Sequence, residues 1–215
     1  MTNILTVNSS PKTEGSISRD LVERFVDKWR AQNTASVVAR DVGTTPPPHL
    51  DEATIGAFYT PEDARSDDQQ ARIAFSDELV GELEAADVIV IGAPMHNFGL
   101  TSGLKAWIDL VARVGRTFKY TENGPEGLLT GKKVYVLTAR GGNYSEYGSA
   151  HAIDLHPAHA IDHQVPYLRT VLSFLGLDDV TFIHAHGVSS GEDGIRAAED
   201  EVDRVVAATL RRRAA

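Results

Sequence analysis

The sequence predicts an α/β fold built on a five-stranded parallel sheet with helices on both faces. Short apolar runs rich in β-branched residues, which parallel sheets bury on both faces, alternate along the chain with segments of helical period. Strands separated by helices pair in parallel through right-handed crossovers. No internal repeat and no linker divides the sequence, so residues 1–215 are expected to form a single domain.

The first two strands flank an amphipathic helix. Asn3–Val7 alternates too little for a surface strand and predicts a buried one, and Ser36–Asp41 predicts the second. The helix between them begins near Ser16, because five apolar side chains then share one helical face. Val42–Asp67 is expected to be irregular since it holds three consecutive prolines, and irregular segments of this length are usually functional or contact a partner.

The third strand, Val88–Gly92, follows a helix over Asp68–Ala85 and is a β-branched apolar run. The chain must leave the sheet at Pro94, because proline cannot continue a central strand. The next helix is predicted over Ser102–Val114 with Thr101 as its N-cap.

The second half of the chain is predicted to add two strands and two helices. Clusters of Gly, Pro, Asn and Asp separate these elements and indicate turns or loops. In order we expect a turn-rich run at Thr121–Gly127, a strand at Lys132–Thr138, an irregular segment at Asn143–Ile161, a helix at Val165–Leu175, a strand at Val180–Ala185 and a helix at Gly191–Leu210.

Composition excludes several classes of function. The formal net charge is -9 and no broad basic face is evident, which argues against nucleic-acid binding. The chain has no cysteine, so disulfides, thiolate catalysis and iron–sulfur clusters are excluded. Met1–Ile4 leads directly into a strand without a basic, apolar leader, and no apolar run is long enough to span a membrane. A cytoplasmic protein is expected.

The loop after the first strand has the composition of a phosphate site. It places Ser10, Ser16 and Ser18 around the start of a helix, where exposed amides and the helix dipole favour an anion. The loop matches neither the P-loop motif nor the G-x-G-x-x-G dinucleotide fingerprint. A single terminal phosphate would fit there better than a pyrophosphate. Plain N-capping by serines is the alternative interpretation.

Two further loops add contacts for a flat ring. After the third strand, Met95 and Phe98 offer apolar surface, while Asn97 and the backbone offer hydrogen bonds, a mixture that suits a flavin. After the fourth strand, Gly141 and Gly142 permit close approach of the backbone to a ligand and positive φ angles. Each loop taken singly is also consistent with an ordinary turn.

The predicted strand order brings the three loops together. In the flavodoxin-like order 2-1-3-4-5, ligands bind at the carboxyl ends of the strands, at the switch point between strands 1 and 3, and strand 4 lies beside strand 3. A phosphate loop, a ring-edge loop and a glycine loop side by side predict a mononucleotide site, for which FMN is the best fit.

The chain resembles the FMN-dependent NADH-azoreductases, also described as NADH:quinone oxidoreductases, of the flavodoxin-like class. The resemblance covers essentially the whole chain, and Phe118–Gly127 is its most specific motif. The matching segments are Ser9-Ser10 with Ser16-Ile17-Ser18, Ala93–Phe98, Thr117–Gly127, Arg140-Gly141-Gly142, and Asp162–Leu168 followed by Phe174-Leu175-Gly176.

The resemblance implies an obligate homodimer with FMN bound in two sites at its interface. It implies that the serine loop holds the phosphate, that the Asn97 amide lies near flavin N5, and that the glycine loop lines the pyrimidine edge. The cofactor-binding residues implied are Ser10, Ser16, Ile17, Ser18, Met95, His96, Asn97, Phe98, Ala139, Arg140, Gly141 and Gly142. Two residues depart from the family pattern: His96 replaces a common Tyr, and Ala139 replaces a common Ser.

The function that follows is a ping-pong oxidoreductase. NADH or NADPH would reduce FMN by hydride transfer to N5, and a quinone or azo compound would then take the electrons. Phe118, Tyr120 and Asn143 are the expected substrate-pocket residues, with Phe118 and Tyr120 partly exposed and their segment placed over the partner's flavin. No side-chain nucleophile is needed, and His96 is the one nearby proton donor.

Two other functions and one other site remain open. A flavodoxin-type electron carrier would share the fold but would not react with free NADH, and an FMN redox sensor would not turn over. His151, His156, His159 and His163 are irregularly spaced, so no metal site is expected there. His184 and His186 are interpreted as a structural pair at the end of the last strand.

Overall fold

The computed structural model of the protein describes residues 1–144 and 161–214. Seven strands and six α-helices alternate in these two ranges, together with one short 3₁₀ turn at Glu62–Ala64. In chain order they are β1 (Thr2–Asn8), α1 (Ile17–Arg30), β2 (Ala35–Asp41), α2 (Glu52–Tyr59), α3 (Asp67–Ala85), β3 (Val88–Pro94), α4 (Ser102–Val111), β4 (Phe118–Thr121), β5 (Gly124–Gly127), β6 (Lys133–Ala139), α5 (Gln164–Phe174), β7 (Asp179–Ala185) and α6 (Asp193–Ala214).

The main sheet has five parallel strands in the order β2-β1-β3-β6-β7. The five correspond to the five predicted strands, and their order is the predicted 2-1-3-4-5. β1 pairs in register with β2 on one side and β3 on the other, so the order reverses next to β1. The flavodoxin-like fold and its switch point between β1 and β3 are therefore confirmed.

Helices cover both faces of the sheet, as the sequence predicts. On one face α1 and α6 pack over strand residues such as Val88, Val90 and Tyr135. On the other face α2, α3, α4 and α5 pack over the alternate residues, among them Ile89 and Ile91. This alternation follows from the two-residue period of a strand, and it buries both faces of β3. No helix within the described ranges is both long and apolar enough to cross a membrane.

The structure corrects two expectations of irregularity. Val42–Asp67 contains α2, which begins because the Asp51 side chain accepts a hydrogen bond from the Thr54 amide and Phe58 is buried against the core. The turn-rich run Thr121–Gly127 is largely a hairpin, in which β4 pairs antiparallel with β5. The glycine, proline and asparagine residues of this run predicted the turn of the hairpin but not its two strands. Of the predicted irregular segment at 143–161, residues 145–160 lie outside the described residues.

Candidate functional site

The loop after β1 carries short polar residues into the N-terminus of α1. Ser10 is buried, and the buried Ser9 donates a hydrogen bond from Oγ to the Gly92 carbonyl at 2.8 Å. Ser16 is the N-cap of α1, but its side chain makes no capping hydrogen bond. The first amides of α1 therefore point out of the helix together with the positive end of its dipole, as an anion site requires. Plain capping by Ser16, the alternative interpretation, is not what this structure shows.

Two buried polar atoms beneath this loop have no hydrogen-bond partner among the described residues. They are Ser18 Oγ, in the first turn of α1, and Asn8 Oδ1, at the end of β1. Leaving a buried polar group unpaired costs about 1–3 kcal/mol, so such groups indicate a function. A Cβ on Gly92 would lie 2.9 Å from Asn8 Oδ1 and 3.1 Å from the Ser18 carbonyl, so β3 passes this point without a side chain.

An ion pair fixes the phosphate loop to β2. Arg19 donates to both carboxylate oxygens of Asp41, at 2.7 and 2.8 Å, and to the Ser10 carbonyl at 2.6 Å. Partial burial raises the pKa of Asp41, but the hydrogen bonds from Arg19 and Thr44 more than offset it and hold this pKa well below its usual range. Sequence reasoning missed Arg19 and Asp41, because nothing local links residues that far apart in the chain.

The loop after β3 is a strained four-residue turn. The His96 and Gly99 backbones exchange hydrogen bonds of 3.2 and 2.9 Å, and the two residues between them have positive φ, 47° at Asn97 and 68° at Phe98. Positive φ at both central positions is the pattern of a type I′ turn, which favours Asn-Gly, whereas an aromatic residue there costs energy. Strain of this kind clusters at functional sites. The turn exposes the side chains of His96, Asn97 and Phe98.

The loop after β6 lies beside this turn. The Met95 amide donates to the Ala139 carbonyl at 2.9 Å, and the Phe98 ring meets the Tyr144 ring edge-on at 6.0 Å. Gly141 does not use the positive φ that glycine permits. A Cβ on Gly141 would instead lie 3.1 Å from Ser189 Oγ, so the residue gives room for a neighbouring loop.

The side chain of Arg140 points into the protein and is completely buried. Its guanidinium donates to Asp162 Oδ2 at 2.9 Å and to Gln164 Oε1 at 3.1 and 3.2 Å. Burial lowers the pKa of Arg140, and the Asp162 carboxylate acts in the opposite direction. Any contact of this residue with a cofactor would therefore come from its backbone. Asp162 and Gln164 belong to a segment that matches the family, but no local sequence pattern assigns them a role.

The loops after β1, β3 and β6 meet at the carboxyl edge of the sheet. A cavity of about 100 Å³ lies between the loops after β1, β2 and β3 and the N-terminus of α4. Thr101 is the N-cap of α4, as predicted, and accepts a hydrogen bond from the Leu104 amide. Packing between backbones holds this arrangement, since a Cβ on Gly43 would lie 2.0 Å from the Ser10 carbonyl and one on Gly103 would lie 2.0 Å from the Val42 carbonyl.

The hairpin residues separate into one buried and one exposed aromatic. Phe118 is 6% exposed and packs against Phe174 with ring centroids 4.4 Å apart, so the expectation that it is partly exposed is wrong. Its ring belongs to the core and cannot cover a neighbouring subunit. Tyr120 is 66% exposed, as expected. Asn143 lies directly after the glycine loop and is partly buried.

Some of the histidines considered in the sequence lie among the described residues and others do not. His151, His156 and His159 lie outside the described residues, and the described part of the chain holds no cluster of metal-ligating side chains. His184 Nδ1 lies 2.7 Å from Thr138 Oγ1, and its ring lies 5.1 Å from that of His186. Burial, with smaller contributions from Arg140 and His186, lowers the pKa of His184 to about 4. These contacts are those of a structural pair.

Comparison with known proteins agrees with this geometry. A family model described as a flavodoxin-like fold matches residues 2–208. An FMN-dependent NADH:quinone oxidoreductase of Herminiimonas arsenicoxydans is 54% identical over 199 residues, which are 92% of this chain and 93% of the relative. One from Azotobacter vinelandii is 45% identical over 210 residues, covering 95% of this chain and all of the relative. The azoreductase from Bacillus anthracis str. Sterne superposes with a TM-score of 0.84 at 27% identity, over 96% of this chain and 99% of that structure.

Proposed function

Because the chain belongs to the family of FMN-dependent NADH:quinone oxidoreductases with a flavodoxin-like fold, we propose that it uses NADH to reduce quinones and azo compounds through bound FMN. The observation that carries the proposal is the convergence of an anion-binding helix N-terminus, a strained turn and a glycine loop at the carboxyl edge of the sheet. Ligands of open α/β sheets bind at this edge.

The residues present fit FMN. The Ser18 hydroxyl and the Ser16 hydroxyl, together with the amides at the start of α1, supply donors for a phosphate. In a type I′ turn the amides of the two central residues, here Asn97 and Phe98, point away from the hairpin and can donate to the polar edge of a ring. Bound FMN would accept a hydride from NADH and pass the electrons on to the acceptor.

The protein contributes position, hydrogen bonds and exclusion of water in this scheme. Donor and acceptor would occupy the same place in turn, which makes the reaction ping-pong. The exposed His96 side chain is the titratable group of the strained turn and would be the protein's proton donor if solvent does not supply the proton. We also propose the cytoplasm as the location of this protein, whose sequence contains no cysteine.

We also propose a homodimer in which the β4–β5 hairpin of one subunit covers the site of its partner. Tyr120 is 66% exposed on this hairpin, and Tyr59 and Ile55 on α2 are 65% and 44% exposed. Exposed large side chains of this kind are typical of interfaces, where aromatic residues contribute most of the contact energy. The flat Tyr120 ring would sandwich a flat substrate against the partner's flavin.

The test is anaerobic reduction of the FMN-loaded protein by NADH. Rapid bleaching of the flavin band, and its recovery when a benzoquinone is added, would support the proposal. A bound flavin that stays yellow with both NADH and NADPH would contradict it and indicate an electron carrier or sensor. Gel filtration of the active protein tests the dimer, which an active monomer would exclude.

Two serine variants test whether the phosphate site is as proposed. Ser18→Ala removes a buried hydroxyl without a partner, so we expect the free energy of unfolding of the apoprotein to rise by up to about 1–3 kcal/mol while FMN affinity falls about tenfold. Ser76 is the matched control, because its buried Oγ donates to the Leu110 carbonyl and accepts from Arg113. Ser76→Ala should reduce stability and leave FMN affinity unchanged.

A further inference from the structure

Residues 162–164, just before and at the start of α5, tie together the two loops that face the flavin site. The His163 amide donates to the Phe98 carbonyl at 3.0 Å, in the strained turn after β3. The Gln164 side chain reaches the Ala93 carbonyl in β3, and the Asp162 carboxylate reaches Arg140 in the loop after β6. We call residues 162–164 the α5 strap.

Gln164 is the member of the strap that joins the end of β3 to the loop after β6 with one side chain. Its Nε2 donates to the Ala93 carbonyl at 3.0 Å, and its Oε1 accepts from Arg140 Nη2 at 3.1 Å and Nε at 3.2 Å. The side chain is completely buried, as is that of Arg140. Only a side chain with a donor and an acceptor at its end satisfies both sides, which is the property of an amide.

The strap itself is rigid. Asp162 Oδ1 accepts hydrogen bonds from the Gln164 amide at 2.9 Å and the Val165 amide at 3.1 Å, which fixes the first turn of α5. Asp162 Oδ2 pairs with Arg140, so the same carboxylate anchors the strap and neutralises the buried guanidinium. A segment held in this way can fix the position of a loop that it bonds to, instead of moving with that loop.

The loops need such support because the sheet no longer holds them. β3 and β6 pair as far as Pro94 and Ala139, and the two chains leave the sheet directly after that pair. Beyond it, the turn keeps positive φ at Asn97 and Phe98, a conformation that persists only when surrounding contacts impose it. The α5 strap bonds to Phe98 in the turn after β3 and to Arg140 in the loop after β6.

We propose that Gln164 is a positioning residue: by bonding to Ala93 in β3 and to Arg140 together, it holds the start of α5, and with it the His163 amide that bonds to the turn after β3, against the glycine loop after β6. The inference rests on the proposed FMN site and adds to it the residue that holds its two ring-side loops in register. Gln164 acts through these loops and is not itself expected to touch the cofactor.

Two variants separate the two bonds of Gln164. Gln164→Met has a similar length and loses both, whereas Gln164→Glu keeps an acceptor for Arg140 but turns an oxygen toward the Ala93 carbonyl in place of the donor. If Gln164 sets both loops together, both variants should weaken FMN binding about tenfold and shift the visible circular dichroism of the bound flavin. At saturating FMN, kcat should fall about tenfold with KM for the quinone nearly unchanged, as expected for a misplaced reaction centre.

Thr209→Val is the matched control. Thr209 is also buried and bonds to Tyr135 and the Val205 carbonyl, far from the strap, so its loss should lower stability and leave the flavin dichroism and kcat unchanged. The apoprotein gives a measurement without FMN, in which Gln164→Met and Gln164→Glu should speed hydrogen exchange of the amides in residues 95–99. If neither variant folds, exchange in the wild-type apoprotein decides, since residues 95–99 and 162–165 should then open in one cooperative step.

Three results would overturn the inference. The first is that both variants keep the FMN affinity, dichroism and kcat of the wild type. The second is a Gln164→Glu variant that behaves as wild type, which would reduce the role of Gln164 to support of Arg140. The third is that residues 95–99 and 162–165 open independently in the wild type. A wild-type protein that binds no FMN or is not reduced by NADH would instead contradict the proposed function, so the two failures are distinguishable.

Discussion

The two ends of the parallel sheet differ in how their polar groups are satisfied. At the amino end, Lys132 donates to the Glu84 and Ala86 carbonyls that end α3, and Lys133 pairs with Asp179. At the carboxyl end, Ser18 Oγ and Asn8 Oδ1 have no partner among the described residues, and the turn after β3 is strained. The named groups of the amino end are satisfied by protein contacts, whereas the carboxyl end has unpaired buried oxygens and strain that folding alone does not explain.

Cavity size does not separate the two ends. A cavity of about 440 Å³ lies at the carboxyl end, beside the turn after β3 and the start of α5, and one of about 420 Å³ lies at the amino end. Charged groups that line the cavity at the amino end bond to other protein groups: Lys133 pairs with Asp179, and Asp178 accepts from Ser173 Oγ at 2.7 Å. Unsatisfied chemistry therefore identifies the site better than volume does.

The largest effect is expected from adding one methyl group at the carboxyl end, and the same change at the amino end is its control. Gly43→Ala would place Cβ 2.0 Å from the Ser10 carbonyl, so the phosphate loop must move, and we expect FMN affinity to fall at least tenfold and stability by about 1–3 kcal/mol. Gly131→Ala at the amino end meets no atom within 4 Å and costs only its positive φ of 75°, roughly 1 kcal/mol. Flavin titration and urea unfolding measure both. Equal losses of FMN affinity would show that the two ends do not differ in function.

A smaller effect distinguishes the carboxyl end by its response to pH. The pKa of His184 is lowered to about 4, below the ordinary 6.5, so the unfolded chain binds the extra proton between these values. Stability should then be complete above about pH 6.5 and decline toward pH 4, by roughly 1 to 2 kcal/mol at pH 5. His184→Phe should remove this part of the slope, measured as urea unfolding at pH 7.5 and pH 5.

Sequence reasoning recovered the fold and the strand order that brings the candidate loops together, but not the contacts that shape them. Helix faces follow from local periods, the strand order is that of the flavodoxin-like arrangement, and the serine, Met-His-Asn-Phe and glycine loops are each contiguous in sequence. The Arg19–Asp41 pair and the bonds of Gln164 join residues 22 or more positions apart, so no local pattern reveals them. Phe118 was misjudged for the same reason, because its partner Phe174 lies on a distant helix.

The smallest expected effect is the most informative about the strain at the carboxyl end. Phe98→Gly would convert the turn to Asn-Gly, the pair that a type I′ turn prefers, and would remove an aromatic side chain that is 37% exposed. Urea unfolding of the apoprotein should therefore show a gain of up to roughly 1 kcal/mol, reduced by the entropy of the added glycine. Bleaching by NADH should slow, because the ring that faces the site is lost.

A matched change elsewhere tells relief of strain from a general effect of glycine. Tyr120→Gly removes an exposed aromatic from β4, where the backbone is extended and no strain is relieved, so it should lower stability. If Phe98→Gly also lowers stability, the turn is not strained and the contrast between the two ends rests on the unpaired polar atoms alone. If it raises stability and slows bleaching, the chain keeps an unfavourable backbone at the carboxyl end because the site needs that side chain there.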